Sequence, residues 1–287
     1  MPWDLIKLND GASIPSIAYG TWTLGNGDQA TGHVDEAINV GFSHVDTAQS
    51  YRNEVEAGKA IKDSGLSRKD IFITTKYSGV DGLDIETSIQ NSLDKLGVKY
   101  VDLYLIHHPR LAQPDIPTAW AKMEKLKDDG LVKSIGVSNF GVTELQTLIN
   151  SAKVLPAANQ ILLHPYVYER QKEIIEFGNK HAGGPVDKPL QSIADRLNAK
   201  PEQVLLAWAK AKGVVVVTSS SKKERMEGYL DAGDLALTVE DIEAIDEAGA
   251  KGMRQMSART FVRRVAVVAL AAAAGFGACS FLGIDLL

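Results

Sequence analysis

Short apolar or β-branched runs recur along this chain at intervals of roughly 30 residues, with stretches of helical period between them, and few folds accept that alternation. The runs are "IPSIAYG", "FSHVDT", "IFITTK", "VDLYLIH", "VKSIGVS", "PAANQILLH" and "VVVVTSS". Helical stretches run over 54–63, 86–96, 117–127, 143–152, 170–180, 201–212 and 241–248. Several carry start signals, among them Pro201, which opens "PEQVLLAWAKAKG", and Thr143 with Glu144 in a first turn. A parallel sheet wrapped by helices follows, and a (β/α)8 TIM barrel, which needs about 250 residues, is the expected architecture. The 287 residues, 45% of them hydrophobic, suffice to bury such a core without disulfides.

A formal net charge of −5 and the lack of a long basic block argue against a nucleic-acid partner. A small molecule is the expected ligand. Cys279 is the only cysteine, which excludes an intrachain disulfide, a four-cysteine zinc site and a CxxC redox pair. The opening "MPWDLIKLND" has no apolar signal-peptide core, so nothing in it directs secretion.

In a barrel of this type, chemistry collects where strands end. "FSHVDTAQSY" places Asp46 and Tyr51 there, "IFITTK" Lys76, "VDLYLIHH" His107 and His108, and "SIGVSNF" Ser138 and Asn139. Each alone reads as a capping or packing residue. An acid, a phenol, an ammonium and an imidazole in consecutive units form a polar cluster that a structural barrel does not need. Because strand side chains alternate, Leu103, Leu105 and His107 share one face, and Tyr104, Ile106 and His108 the other.

Through "GFSHVDTAQSYRNE", Lys76 in "ITTK", "DLYLIHHP", "SIGVSNF" and "NQILLHPY", the sequence resembles the aldo-keto reductase family as far as about Gly249. The resemblance implies a tetrad of Asp46, Tyr51, Lys76 and His107, with His108 left at the rim. It implies further that Ser138, Asn139 and Gln160 hold a nicotinamide carboxamide, and that Trp22 of "GTW" lines the substrate pocket. The residue types suit hydride reduction of a carbonyl. A phenol keeps its proton at neutral pH and can give it to the nascent alkoxide. The Lys76 ammonium is expected to lower the Tyr51 pKa, Asp46 to hold the lysine, and His107 to donate to the carbonyl oxygen. The hydride must come from a cofactor.

No GxGxxG follows the first strand, so the nucleotide is not held as in a Rossmann fold. The family's phosphate grip lies after the last strand, here "VVVVTSSSKKERMEGY". Where the family usually has Pro-Lys-Ser, this chain has Thr218, Ser219 and Ser220, and Arg225 is kept. NADP(H) is the implied cofactor, with NAD(H) left open because the lysine is missing, although Lys222 and Lys223 lie close by.

Two departures from the family stand out. After "NQILLHPYVYERQKEIIEFGNKHA" the family continues with a strand and a loop carrying Tyr-Ser-Pro-Leu, whereas this chain passes into "GGPVDKPLQSIADRL" at Ala182. Seven strand candidates remain where a closed barrel needs eight. Either another segment fills the gap, or the chain is a splice or gene-model variant with damaged cofactor binding. The second departure is a hydrophobic tail. Residues 1–258 form the barrel-like body, and 259–287 contain an uncharged span from Val265 to Ile284, about 20 positions, preceded by Arg259, Arg263 and Arg264. A tail anchor with a cytosolic body is one reading, and a packed alanine-rich helix the other.

Three function classes follow: an NADP-dependent carbonyl reductase, an impaired barrel serving as a nucleotide-sensing or interaction module, and a metal hydrolase. The third is the weakest, since adjacent His107 and His108 cannot chelate one ion from a regular strand and no HxH or HExxH occurs. The natural substrate and the oligomeric state are not legible.

Overall fold

The computed structural model describes residues 3–163 and 187–250. The chain opens with an antiparallel hairpin of β1 (Leu5–Lys7) and β2 (Ser13–Pro15). Seven parallel strands follow: β3 (Ile17–Gly20), β4 (His44–Asp46), β5 (Phe72–Tyr77), β6 (Val101–Ile106), β7 (Val132–Ser138), β8 (Asn159–Gln160) and β9 (Val216–Thr218). Each of the seven runs picked out in the sequence overlaps one of them. The first run divides at Ser16, because its N–H donates to Asp4 O at 3.0 Å while its carbonyl accepts from Val216 N at 2.8 Å. Hairpin and sheet thus claim opposite sides of one residue.

The helices are α1 (Asp28–Val40), α2 (Glu54–Asp63), α3 (Ile85–Leu96), α4 (Ile116–Asp128), α5 (Val142–Ile149), α6 (Asp187–Leu197), α7 (Pro201–Ala211), α8 (Lys223–Asp231) and α9 (239–250). Asp84 and Asp115 cap α3 and α4, each carboxylate accepting from a backbone N–H three residues on at 2.7 Å. At α5 the Glu144 carboxylate accepts from Gly141 N at 3.1 Å. The helix expected over 170–180 lies outside the described residues.

Strand order is β8-β7-β6-β5-β4-β3-β9. The first and last parallel strands lie side by side, with Ile17, Ala18 and Tyr19 opposite Val216, Val217 and Thr218. A flat sheet built in chain order does not bring its ends together, so this pairing marks the curl of a (β/α)8 barrel. Side chains alternate as the pleat requires. Leu103 and Leu105 pack inward with Ile14 of the hairpin, near Phe72, Ala158 and Val215, which plugs the N-terminal end. Tyr104 and Ile106 join the layer that includes Trp120 and Met123 of α4. Gly136 is required where β7 meets its neighbours, since a Cβ there would lie 2.6 Å from Ala158 O and 2.7 Å from Leu105 Cδ2.

The ladder is interrupted between β8 and β9, which end the sheet among the described residues. Successive strands start roughly 30 residues apart, as βαβ units dictate, but the step from Asn159 to Val216 is about twice as long. The unit expected to be missing after Ala182 falls within residues 164–186, outside the described part. Beside the interruption, α6, α7 and α9 bury Leu190, Ile193, Trp208 and Ile245 together, with Ile161 and Leu163 packed against them. The tail over 259–287 also lies outside the described residues. Among those described, no helix is long and apolar enough to cross a membrane.

Candidate active site

Three strand ends, those of β4, β5 and β6, bring the four residues of the predicted tetrad together. Asp46 is the last residue of β4, and Lys76 stands one residue before the end of β5. The Lys76 Nζ donates to Asp46 Oδ1 at 2.6 Å, to Thr47 O at 2.9 Å and to Tyr51 OH at 3.3 Å. Tyr51 reaches it from a short turn over Gln49–Tyr51 that leaves β4 and closes with Arg52 in the left-handed region. His107 follows β6 directly, its N–H donating to Tyr77 O at 3.0 Å, and its ring meets the Tyr51 ring edge-on at 5.6 Å. The Lys76 side chain is 0% exposed and that of Asp46 3%, so the ion pair is shielded from water and salt.

Burial sets the protonation states. It pushes the Tyr51 phenol above its usual 10, and the Lys76 ammonium, which acts in the opposite direction, does not overcome it. The lowering of that pKa expected from the sequence is therefore corrected: the neighbouring charge was read without the desolvation that accompanies it. Tyr51 holds its proton across neutral pH. Burial first, and Lys76 second, bring His107 down to about 4, so its imidazole is neutral there.

Three further residues connect to this core. Gln160 Nε2 donates to Asp46 Oδ2 at 2.8 Å, and its carbonyl accepts from Ser138 Oγ at 2.8 Å. Asn139, held at φ 61° in the left-handed region, donates from Nδ2 to His107 O and to Ser138 Oγ, both at 3.0 Å. Ser138, Asn139 and Gln160 thus form one network with the tetrad. Beyond β9, Ser219, Ser220 and Arg225 line a separate cleft of about 430 Å³ with Thr23, Leu24, Gln29, His33 and Lys222. Lys223 instead pairs with Glu36 and Glu227. Trp22, 68% exposed, stands on the loop that joins the two regions.

The profile of the Aldo/keto reductase family matches residues 16–186 and, in a second segment, 185–250. The chain belongs to this family. A methylglyoxal reductase of Escherichia coli K12 is 34% identical over 253 residues, covering 84% of this chain and 92% of its own. A glyoxal reductase of Bacillus subtilis is 35% identical over 258 residues, covering 85% and 92%. Among solved structures, a Bombyx mori aldo-keto reductase in complex with NADP superposes with a TM-score of 0.76 at 29% identity, over 86% of this chain and 92% of that one. As an aldo/keto reductase, the protein is an NAD(P)H-dependent oxidoreductase.

The two histidines of "LIHHPR" separate as the pleat requires. His107 continues the inward face of Leu103 and Leu105, whereas His108 caps the short turn over Pro109–Leu111, accepting from Arg110 N at 3.3 Å. Among the described residues no group of three or more His, Cys, Asp or Glu is placed to hold a metal ion. Sequence reasoning missed the buried support beneath these four side chains. Asn53 donates to Thr21 O and Gly25 O at 2.9 Å and accepts from Thr21 Oγ1 at 2.8 Å, tying the Trp22 loop to the turn that carries Tyr51. The one sequence signal for it was an asparagine next to a helix start, which reads as an ordinary cap.

Proposed function

We propose that this aldo/keto reductase reduces the carbonyl of a small aldehyde or ketone to an alcohol with NADPH, Tyr51 giving the proton. The observation that carries the reading is the buried Lys76 ammonium, bonded at once to Asp46 and to the Tyr51 hydroxyl. When bound, the nicotinamide supplies the hydride. Tyr51 holds the proton that the nascent alkoxide needs, and Lys76 steadies the phenolate left behind. Asp46 fixes Lys76 in place and is itself held by Gln160. His107, neutral, donates to the carbonyl oxygen as charge builds on it.

The cleft beyond β9 suits the cofactor's phosphates. Ser219 and Ser220 offer hydroxyls, and Arg225 and Lys222 offer positive charge, where the chain enters α8. Arg225 and Lys222 favour the additional 2′-phosphate and hence NADPH over NADH, and the NADP bound by the Bombyx mori relative agrees with this. Ser138, Asn139 and Gln160 hold the carboxamide, and the broad face of Trp22 lines the substrate's approach. The Escherichia coli and Bacillus subtilis relatives are named for methylglyoxal and glyoxal, small dicarbonyls of the class proposed here. The alternative of an impaired barrel that only senses nucleotide is not favoured, because a sensor has no use for an assembled proton donor.

NADPH oxidation with a panel of small aldehydes tests the proposal. Tyr51→Phe should lower kcat by about 10² or more, the usual worth of a placed acid, while NADPH affinity holds. Unchanged turnover would remove Tyr51 from the mechanism.

For the tail, the reading is a domain division at 258/259, with residues 259–287 anchoring a cytosolic body through the uncharged span from Val265 to Ile284. Removal of residues from Thr260 onward should move the protein from the membrane to the soluble fraction with reductase activity intact. A full-length chain found only in the soluble fraction would refute the anchor.

A further inference from the structure

One nitrogen of His107 is taken up by a pair of serines. Its Nδ1 lies 2.8 Å from Ser78 Oγ and 3.3 Å from Ser50 Oγ, and the two hydroxyls are 3.2 Å apart. Ser78 lies two residues past Lys76 and Ser50 one residue before Tyr51, so the pair comes from the segments that carry the lysine and the phenol. The backbone around the ring is pinned, with His107 N–H on Tyr77 O and His107 O on Asn139, both at 3.0 Å. The backbone of His107 is therefore held, and the ring's contacts leave open which nitrogen carries the proton.

A neutral imidazole has one N–H and one bare nitrogen, and the partner of one nitrogen decides the state of the other. Where Nδ1 faces a carbonyl or a carboxylate, the proton must sit on Nδ1. Here both neighbours are hydroxyls, which can donate. The nearest acid, Asp46, is occupied by Lys76 and Gln160. A bare Nε2 would offer a carbonyl oxygen only repulsion between lone pairs.

We propose that Ser78, with Ser50 as a second donor, hydrogen-bonds to Nδ1 of His107 and so keeps the proton on Nε2, where it points at the substrate's carbonyl oxygen. Ser78 is a positioning residue that acts through His107, and the assignment rests on the reading of His107 as the carbonyl donor.

The test follows the ¹⁵N shifts of His107 in ¹⁵N-histidine-labelled full-length protein at pH 7, beside turnover and NADPH affinity. In the unaltered protein Nε2 should be protonated and Nδ1 bare. Ser78→Ala, and more completely the Ser78→Ala, Ser50→Ala pair, should move the signals toward the other tautomer. It should also lower kcat for carbonyl reduction about 10-fold, the worth of one hydrogen bond, with NADPH affinity within about twofold. Ser78→Thr, which keeps the hydroxyl, should restore both. A protonated Nδ1 in the unaltered protein, or a tautomer indifferent to loss of both hydroxyls in a variant that still binds NADPH, overturns the proposal. A serine-dependent tautomer with unchanged turnover would uphold the serine control and refute the donor role of His107 instead.

Discussion

The middle and the end of the sheet supply different parts of the proposed site. β4, β5 and β6, each paired on both sides, bring Asp46 and Tyr51, Lys76, and His107 together. β9, which ends the sheet among the described residues, leads into Ser219, Ser220 and Arg225. Proton transfer tolerates little misplacement, and a strand held by two neighbours has little freedom to shift. A phosphate grip built from hydroxyls, a helix start and long cationic side chains adapts over larger distances and can sit on an edge. Damage to the middle should therefore appear in turnover and stability, and damage to the edge in cofactor affinity.

The largest effect is expected at the buried ion pair. Lys76→Met leaves the Asp46 carboxylate enclosed with Gln160 as its remaining side-chain partner, and orphaning a buried charge costs about 3–5 kcal/mol. Denaturant unfolding should show a loss of that size, and turnover should fall by about 10² or more as the phenolate loses its support. If stability changed by less than about 1 kcal/mol, the middle of the sheet would not be the rigid platform that the comparison requires.

How much of this was legible in the sequence follows the same division. All seven parallel strands were, because most are buried on both faces and lie in largely apolar or β-branched runs. The hairpin was not, since its strands are three residues each and Ile14 merges with the run that becomes β3. α1, α6 and α8 also went unremarked. The buried face of α1 is Ala30, Thr31, Val34, Ala37 and Ile38, and α8 buries only Met226 and Tyr229, so neither has a broad apolar stripe. Asp46, Lys76 and His107 were legible because strand ends are where a barrel displays chemistry. Asn53, Ser50 and Ser78 were not. A serine in a loop reads as turn chemistry, and nothing local shows that a ring from residue 107 lies within reach of residues 50 and 78.

A second way to press the comparison is acid. His44, fully enclosed in β4, has a pKa lowered to about 4 from 6.5, chiefly by burial, with Nε2 2.8 Å from Thr74 Oγ1 and Nδ1 3.4 Å from Pro15 O. The unfolded chain takes up a proton near pH 6.5 and the folded chain does not, so stability declines as pH falls from 6.5 toward 4. The slope is about 1.4 kcal/mol per pH unit for this group. Denaturant unfolding between pH 6.5 and 4.5, above the range of most carboxylates, should show it, and His44→Gln should flatten it by that amount. An unchanged slope in the variant would mean that water reaches the barrel's middle.

The smallest effect is expected at the edge. The Arg225 side chain is 49% exposed, lies 5.6 Å from the Tyr229 ring and approaches Glu202 only to 4.0 Å, so little of the fold depends on it. Arg225→Ala should leave the unfolding midpoint nearly unchanged. A charge-assisted bond to phosphate is worth about 1.5–3 kcal/mol, so the dissociation constant for NADPH should rise about 10-fold or more, while that for NADH, which lacks the 2′-phosphate, barely moves. With both cofactors saturating, turnover should match the unaltered protein, because no tetrad atom touches this cleft. Equal weakening of NADPH and NADH would place Arg225 at the pyrophosphate instead. A fall in saturated turnover would show that middle and edge act as one unit, and the division of labour between them would fail.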